Sequence, residues 1–223
     1  MRRFTRTERW VHRTTAVLVG VLLVTAAILY VAPLSQLVGR RDLVATIHVY
    51  AGLALPLPLL LGWVWSAALR ADARRLNRFG ASDWTWLRSR ERRSGRIPVG
   101  KFNAGQKLNA SLTTGAVLVM LLSGSVMIDL LGLWPLRART GATFVHDWVA
   151  LGIFLLVVGH LWYALRDPEA LRGITEGTVS EEWAAREHAA WLDGLSGGAE
   201  DPPSAGVAEP RGDAVDGEQE SAP

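Results

Sequence analysis

A chain of 223 residues that is 49% hydrophobic, only 20% charged and free of cysteine excludes iron–sulfur ligation by thiolates, covalent haem attachment through C-x-x-C-H and any disulfide framework. Its apolar residues are gathered in blocks too long for a soluble core, since a helix needs roughly 20 of them to cross about 30 Å of hydrocarbon. The net charge of +3 hides an asymmetry of 21 basic and 7 acidic residues over 1–166 against 3 and 14 over 167–223. The basic part suits an anionic lipid surface, so no nucleic acid is needed to account for a pI near 9.8.

The first predicted helix covers about residues 10–32, with its apolar run from Ala16 to Pro33. Basic residues before an apolar run also mark secretory signals, but this run is long and no convincing small-residue cleavage site follows, so an uncleaved anchor is expected. The second helix, 43–69, has no charged side chain from Leu43 to Leu69, and Pro56 with Pro58 predicts a kink below His48. Residues 70–105 read as a basic loop. The third helix, 106–131, holds the run Leu108 to Ile128, and the fourth, 142–166, starts a turn ahead of Trp148 so that His146 and Asp147 lie at its mouth. Lipid offers no partner to backbone N–H and C=O groups, which makes each span a helix. Residues 167–195 form a short post-membrane segment closing a domain over 1–195, and 196–223 read as a disordered acidic tail. The expected fold class is an all-α integral membrane protein, a bundle of four transmembrane helices.

Arginine and lysine set the expected orientation. Five precede the apolar run of the first helix (Arg2, Arg3, Arg6, Arg9, Arg13) and eleven lie from Arg70 to Lys107, whereas the other two connections hold only Arg40, Arg41, Arg137 and Arg139. Both termini and the middle loop are therefore expected in the cytoplasm of a bacterial cell membrane. Trp10, Trp63, Trp65, Trp134, Trp148 and Trp162 fall near helix ends, where an interfacial belt belongs.

Four of the five histidines fall in or at the edge of these helices, where an ionisable side chain is costly and marks function. His146 and His160 are 14 residues apart, about 21 Å along one helix and within roughly 40° of the same face. Threading by the arginine count puts His12 level with His160 near the cytoplasm and His48 level with His146 near the outer surface. Such pairs could hold haem, zinc or copper, or relay protons. Haem is favoured, because zinc normally recruits a third or fourth protein ligand and only Asp147 accompanies a pair. Small residues at Gly20, Gly52, Gly115, Gly124, Gly152 and Gly159 would admit a flat porphyrin. His188, in Glu181-Glu182-Trp183-Ala184-Ala185-Arg186-Glu187-His188, is expected on a solvated helix surface.

The run Gly100-Lys101-Phe102-Asn103-Ala104-Gly105-Gln106-Lys107-Leu108, the four histidine positions and the stretch Gly177-Thr178-Val179-Ser180-Glu181-Glu182-Trp183-Ala184 resemble the cytochrome b, or gamma, subunit of respiratory formate dehydrogenases. That family lies within the wider di-haem cytochrome b561-like group, and the similarity covers about residues 4–192. The resemblance implies two haem b groups, with His48 and His146 as outer and His12 and His160 as inner axial ligands. It also implies an iron–sulfur (beta) partner subunit, a molybdenum or tungsten catalytic (alpha) subunit behind it, and electron delivery to a membrane quinone. Asn103 and Gln106 fall in the family's quinone-site region, and their amides suit quinone carbonyls. Asn at an N-cap with Gln three residues on is also a capping box, and Lys101 and Lys107 could serve a haem propionate or a lipid phosphate. Two other readings stay open. One keeps the haems in a hydrogenase, another molybdenum oxidoreductase or a free-standing cytochrome b561. The other is a haem-free membrane anchor or a transporter with a histidine proton relay.

Overall fold

The computed structural model describes residues 1–90, 92 and 96–196. Among the described residues it is helical throughout, without a strand beyond a single bridge between Arg2 and Thr178. Helix α1 (Arg6–Tyr30) begins ahead of its apolar run because Thr5 and Glu8 form a capping box. The Glu8 amide donates to Thr5 Oγ1 at 3.3 Å, and the Thr5 amide donates to Glu8 Oε2 at 2.6 Å. A short α2 (Ala32–Val38) leads into α3 (Arg41–Ala54), and α4 (Leu57–Trp65) continues the second span after an interruption at Leu55–Pro56. Proline lacks the amide proton that an uninterrupted helix needs there, and its ring crowds the preceding turn.

Ser66 then caps a separate helix, α5 (Ala67–Leu76), by accepting from the Leu69 amide at 3.1 Å. The second span therefore stops at Trp65 instead of running to Leu69, and the basic stretch after it contains α5 and α6 (Ala81–Arg88). Helix α7 (Ala104–Met127) and helix α8 (Leu136–Leu165) complete the spans. With Pro135 at its N-cap, α8 starts earlier than its apolar run suggests, so His146 lies well inside the helix and not at its mouth. Beyond it come α9 (Pro168–Glu176), α10 (Glu181–Glu187) and α11 (Ala189–Ser196). Apart from Ser196, the expected disordered tail lies outside the described residues.

Among the described residues, four stretches are long and apolar enough to cross a bilayer: Arg6–Tyr30, Arg41–Trp65, Ala104–Met127 and Leu136–Leu165. At most 17% of any span's apolar window is buried against protein, so the packed core lies elsewhere. It sits at the end that carries both the N-terminal residues and α9–α11, here called the terminal end. Val179, Trp183, Ala184 and Trp191 cluster there, with Met1 and Ala170 packed on them. The Arg3 amide donates to the Gly177 carbonyl at 2.8 Å and Val179 returns a bond to Met1 at 3.0 Å. Gly177 has φ +94°, and a Cβ at that position would stand 2.8 Å from the Phe4 carbonyl oxygen. Only glycine satisfies both the backbone and the close approach.

Candidate cofactor-binding site

Helices α1, α3 and α8 bring four histidines together as two pairs. The ring centroids of His12 (α1) and His160 (α8) are 6.2 Å apart, and those of His48 (α3) and His146 (α8) are 6.3 Å apart. Two imidazoles on opposite sides of one metal ion, each with a metal–nitrogen bond of about 2 Å and a nitrogen roughly 1.1 Å from its ring centre, would place the centroids about 6.2 Å apart. A direct hydrogen bond of about 2.9 Å between the rings would draw them in to about 5 Å. Both pairs therefore have the spacing of axial ligation, and neither has the spacing of a ring-to-ring proton relay. Among the described residues no group of three or more His, Cys, Asp or Glu side chains gathers as a protein-only metal site requires.

The far pair carries a second layer of definition. Thr25 Oγ1 lies 2.8 Å from His48 Nδ1 and donates its own proton to the Val21 carbonyl at 2.7 Å. Ser123 Oγ repeats this arrangement, 3.0 Å from His146 Nδ1 and 2.7 Å from the Val119 carbonyl. A hydroxyl has one proton to give. With that proton committed to the helix backbone, each oxygen accepts from an Nδ1–H, and the Nε2 lone pair of each imidazole is left for a metal. Sequence reasoning missed both hydroxyls. Gly124 lies over the same ring, where a Cβ would stand 3.4 Å from His146 Cε1.

The terminal-end pair depends on a close helix crossing. A Cβ on Gly62 would stand 2.6 Å from Val11 Cγ2 and 2.7 Å from Leu69 Cδ2, so any larger residue at 62 would force Val11 or Leu69 to shift where α4 meets α1 beside His12.

Asn103 and Gln106 form the capping box of α7. The Gln106 amide donates to Asn103 Oδ1 at 2.9 Å, and the Asn103 amide donates to Gln106 Oε1 at 3.0 Å. Capping occupies the two side-chain oxygens, while their NH₂ groups have no acceptor among the described residues. The two nearby lysines already have protein partners. Lys107 Nζ pairs with Asp83 Oδ2 at 2.8 Å and donates to the Arg78 carbonyl at 2.9 Å. Lys101 Nζ donates to Asp72 Oδ2 and lies 3.6 Å from Glu8 Oε1.

His188 is not on a solvated surface. It is 1% exposed and donates from Nδ1 to the Gly100 carbonyl at 2.7 Å, while Arg3 Nη2 lies 3.2 Å from its Nε2 and also donates to the Lys101 carbonyl at 2.8 Å. Trp183 and Trp191 flank the His188 ring, and the Arg3 guanidinium stands 4.6 Å from the Trp183 ring centre. Burial, and then the Arg3 charge, push the His188 imidazole down to about 3, so it is neutral at ordinary pH. Burial likewise lowers Arg3 to about 10, against the opposing pull of Asp167 and Asp72. The two residues clamp the backbone at Gly100 and Lys101, immediately before the α7 cap. Helical periodicity in 181–188 could suggest an amphipathic surface helix, but not which face is covered by the N terminus.

The profile of the prokaryotic cytochrome b561 family matches residues 3–177, a range that contains all four paired histidines. The chain is also similar to the cytochrome b556(Fdn) subunit of nitrate-inducible formate dehydrogenase from Escherichia coli K12, at 29% identity over 97 residues. The corresponding proteins of Escherichia coli O157:H7 and Shigella flexneri match to the same extent. The match covers 42% of this chain and 44% of each relative, less than half of either. The family match spans most of the chain and takes in all four apolar spans, and it makes this protein a multi-pass membrane haem protein of the prokaryotic cytochrome b561 family.

Proposed function

We propose that the chain holds two haem b groups, one between His12 and His160 and one between His48 and His146, and carries electrons through them to a membrane quinone. The observation that carries this reading is the matched pair of centroid separations, 6.2 and 6.3 Å, at two levels of α8 about 21 Å apart. A bound haem would supply a one-electron iron couple; His12 with His160, and His48 with His146, would hold it through their imidazole nitrogens. Thr25 and Ser123 keep the far imidazoles in the Nδ1–H form, which directs Nε2 at the metal. The donor in this reading is the iron–sulfur subunit of a formate dehydrogenase-like complex, with a molybdenum or tungsten catalytic subunit behind it. The likeness to the cytochrome b556(Fdn) subunits supports that choice.

In the same reading the terminal end faces the cytoplasm, by the arginine and lysine count, and the quinone is reduced there. The NH₂ groups of Asn103 and Gln106 at the start of α7 donate to its carbonyl oxygens. Purifying the tagged chain under mild conditions from its native membrane and adding formate tests the assignment. Two b-type haems that formate reduces and a quinone analogue reoxidises are the expected result. A colourless protein would overturn the haem reading. Haems that ignore formate but respond to hydrogen, or to another donor, would favour a second reading. The family match, at 3–177, covers far more of the chain than the formate dehydrogenase match, and a cytochrome b561 serving another donor is consistent with that breadth.

A further inference from the structure

The terminal end contains a buried group of charges that haem ligation does not explain and that helix capping explains only at one oxygen of Glu8. Glu8 lies one turn before His12 on α1, about 6 Å along the axis, and Asp72 reaches in from α5. Lys101, two residues before the α7 cap, lies between them. Their side chains are 5%, 6% and 9% exposed. Lys101 Nζ donates to Asp72 Oδ2 and is 3.6 Å from Glu8 Oε1, too far for a hydrogen bond. Arg75 Nη1 pairs with Asp72 Oδ1 at 3.0 Å, and Arg3, held on the Lys101 carbonyl, adds positive charge nearby. Glu8 Oε2 is taken by the Thr5 amide. Glu8 Oε1 is buried and meets no hydrogen-bond donor among the described residues.

An uncapped carboxylate oxygen at this depth is costly, and a proton shared with the neighbouring carboxyl removes the cost. Two carboxyls within reach of each other cannot both ionise cheaply away from water. Asp72 shows this: burial, and then the Glu8 carboxyl, raise it to about 6 against the opposing pull of Lys101. A carboxylic acid that releases its proton close to neutral pH is matched to general acid work.

We infer that Glu8 and Asp72 share one proton and deliver it to the quinone reduced beside the His12–His160 pair, with Lys101 holding the two carboxyls together. The inference rests on the quinone reading above. Quinone reduction takes two electrons, which the haem held by His12 and His160 would supply, and two protons. Each proton leaves the Glu8–Asp72 pair for a quinone oxygen as its O–H bond forms, and the pair reloads from cytoplasmic water.

The test uses the full-length haem-loaded chain in proteoliposomes, reduced with dithionite and mixed with menadione. Haem reoxidation in Asp72→Asn should slow about tenfold or more, with both haems still present by their spectra, and should lose the inflection near pH 6 seen in the parent protein. Asp72→Glu should restore most of the rate, and Glu8→Gln should slow it without depending on the Asp72–Lys101 ion pair for folding. Infrared titration should show a protonated carboxyl band that grows as pH falls through about 6 in the parent protein and is missing in Asp72→Asn. Unslowed reoxidation in haem-replete Asp72→Asn and Glu8→Gln overturns the proposal and leaves the quinone reading standing. A parent protein that menadione does not reoxidise overturns the quinone reading itself and the delivery role with it. Loss of haem from both variants, with no carboxyl band in the parent protein, also overturns the proposal by making the cluster purely structural.

Discussion

His48 gives its Nδ1 proton to Thr25 across 2.8 Å, and the Thr25 hydroxyl in turn gives its own proton to the α1 backbone. The same geometry links His146 to Ser123. An imidazole hydrogen-bonded at Nδ1–H is a better electron donor at Nε2 and stabilises the ferric state. Thr25→Val and Ser123→Ala should each raise the potential of the far haem alone. Losing one hydrogen bond worth roughly 0.5–1.5 kcal/mol corresponds to about 20–60 mV for a one-electron couple. Redox titration followed in the visible region measures it. An equal shift of both haems, or of the terminal-end haem only, would count against the assignment.

Orientation is tested without reference to haem. The eleven basic residues from Arg70 to Lys107 are the ground for proposing that the terminal end faces the cytoplasm. A cysteine at Ser89, just after α6, should resist impermeant thiol reagents in intact cells, while one at Ser35, in α2, should react. The reverse pattern would invert the topology.

At the start of α7, capping and quinone binding predict different kinetics. The reciprocal bonds of Asn103 and Gln106 mean that Asn103→Ala should cost about 0.5–2 kcal/mol of stability. If their NH₂ groups also hold a quinone, then Asn103→Ala and Gln106→Ala proteins retaining both haems should be reduced by the donor at the normal rate and reoxidised by quinone several-fold more slowly. Normal reoxidation would leave these residues with capping alone.

The clamp around His188 has a definite pH signature. Its folded-state value near 3 lies below the ordinary histidine range, so the unfolded chain binds more protons in the window between about 6.5 and 3. Stability from this group is complete above about 6.5 and declines as pH falls, by about 2 kcal/mol at pH 5. Hydrogen exchange of residues 177–192 should therefore accelerate between pH 7 and pH 5, after correction for the intrinsic exchange rate. His188→Asn should lose the part of that slope that His188 supplies. Asp72, which is raised, acts in the opposite direction but equally in both proteins. An unchanged slope in the variant would contradict a neutral buried imidazole.

The spans were legible because lipid enforces them: uninterrupted apolar runs, and proline at 56 and 58, are one-dimensional signals. The histidines were legible for a related reason, since 14 residues on one helix fix both depth and face. Helix starts were less so. Thr5 with Glu8 moves α1 forward, and Ser66 cuts the second span at Trp65; both effects come from caps at the edge of the apolar pattern, not from its periodicity. What the sequence could not show is what distant segments do to one another. Thr25 and Ser123 become partners of the far histidines only through the crossings of α1 with α3 and α7 with α8. His188 reads as one residue of an acidic, exposed helix until Arg3, from the other end of the chain, closes over it. The Glu8–Asp72–Lys101 group joins three segments separated by up to 93 residues in sequence, beyond the reach of any local pattern.

The central claim is that each histidine pair holds one haem, and quantifying haem in ligand variants tests it most directly. Pyridine haemochrome assay of the pure parent protein should give two haem b per chain. His12→Ala and His160→Ala should each give one and lose the same component in a redox titration; His48→Ala and His146→Ala should each give one and lose the other component. One haem or none in the parent protein, or the same component lost from His12→Ala and His48→Ala, would contradict the account.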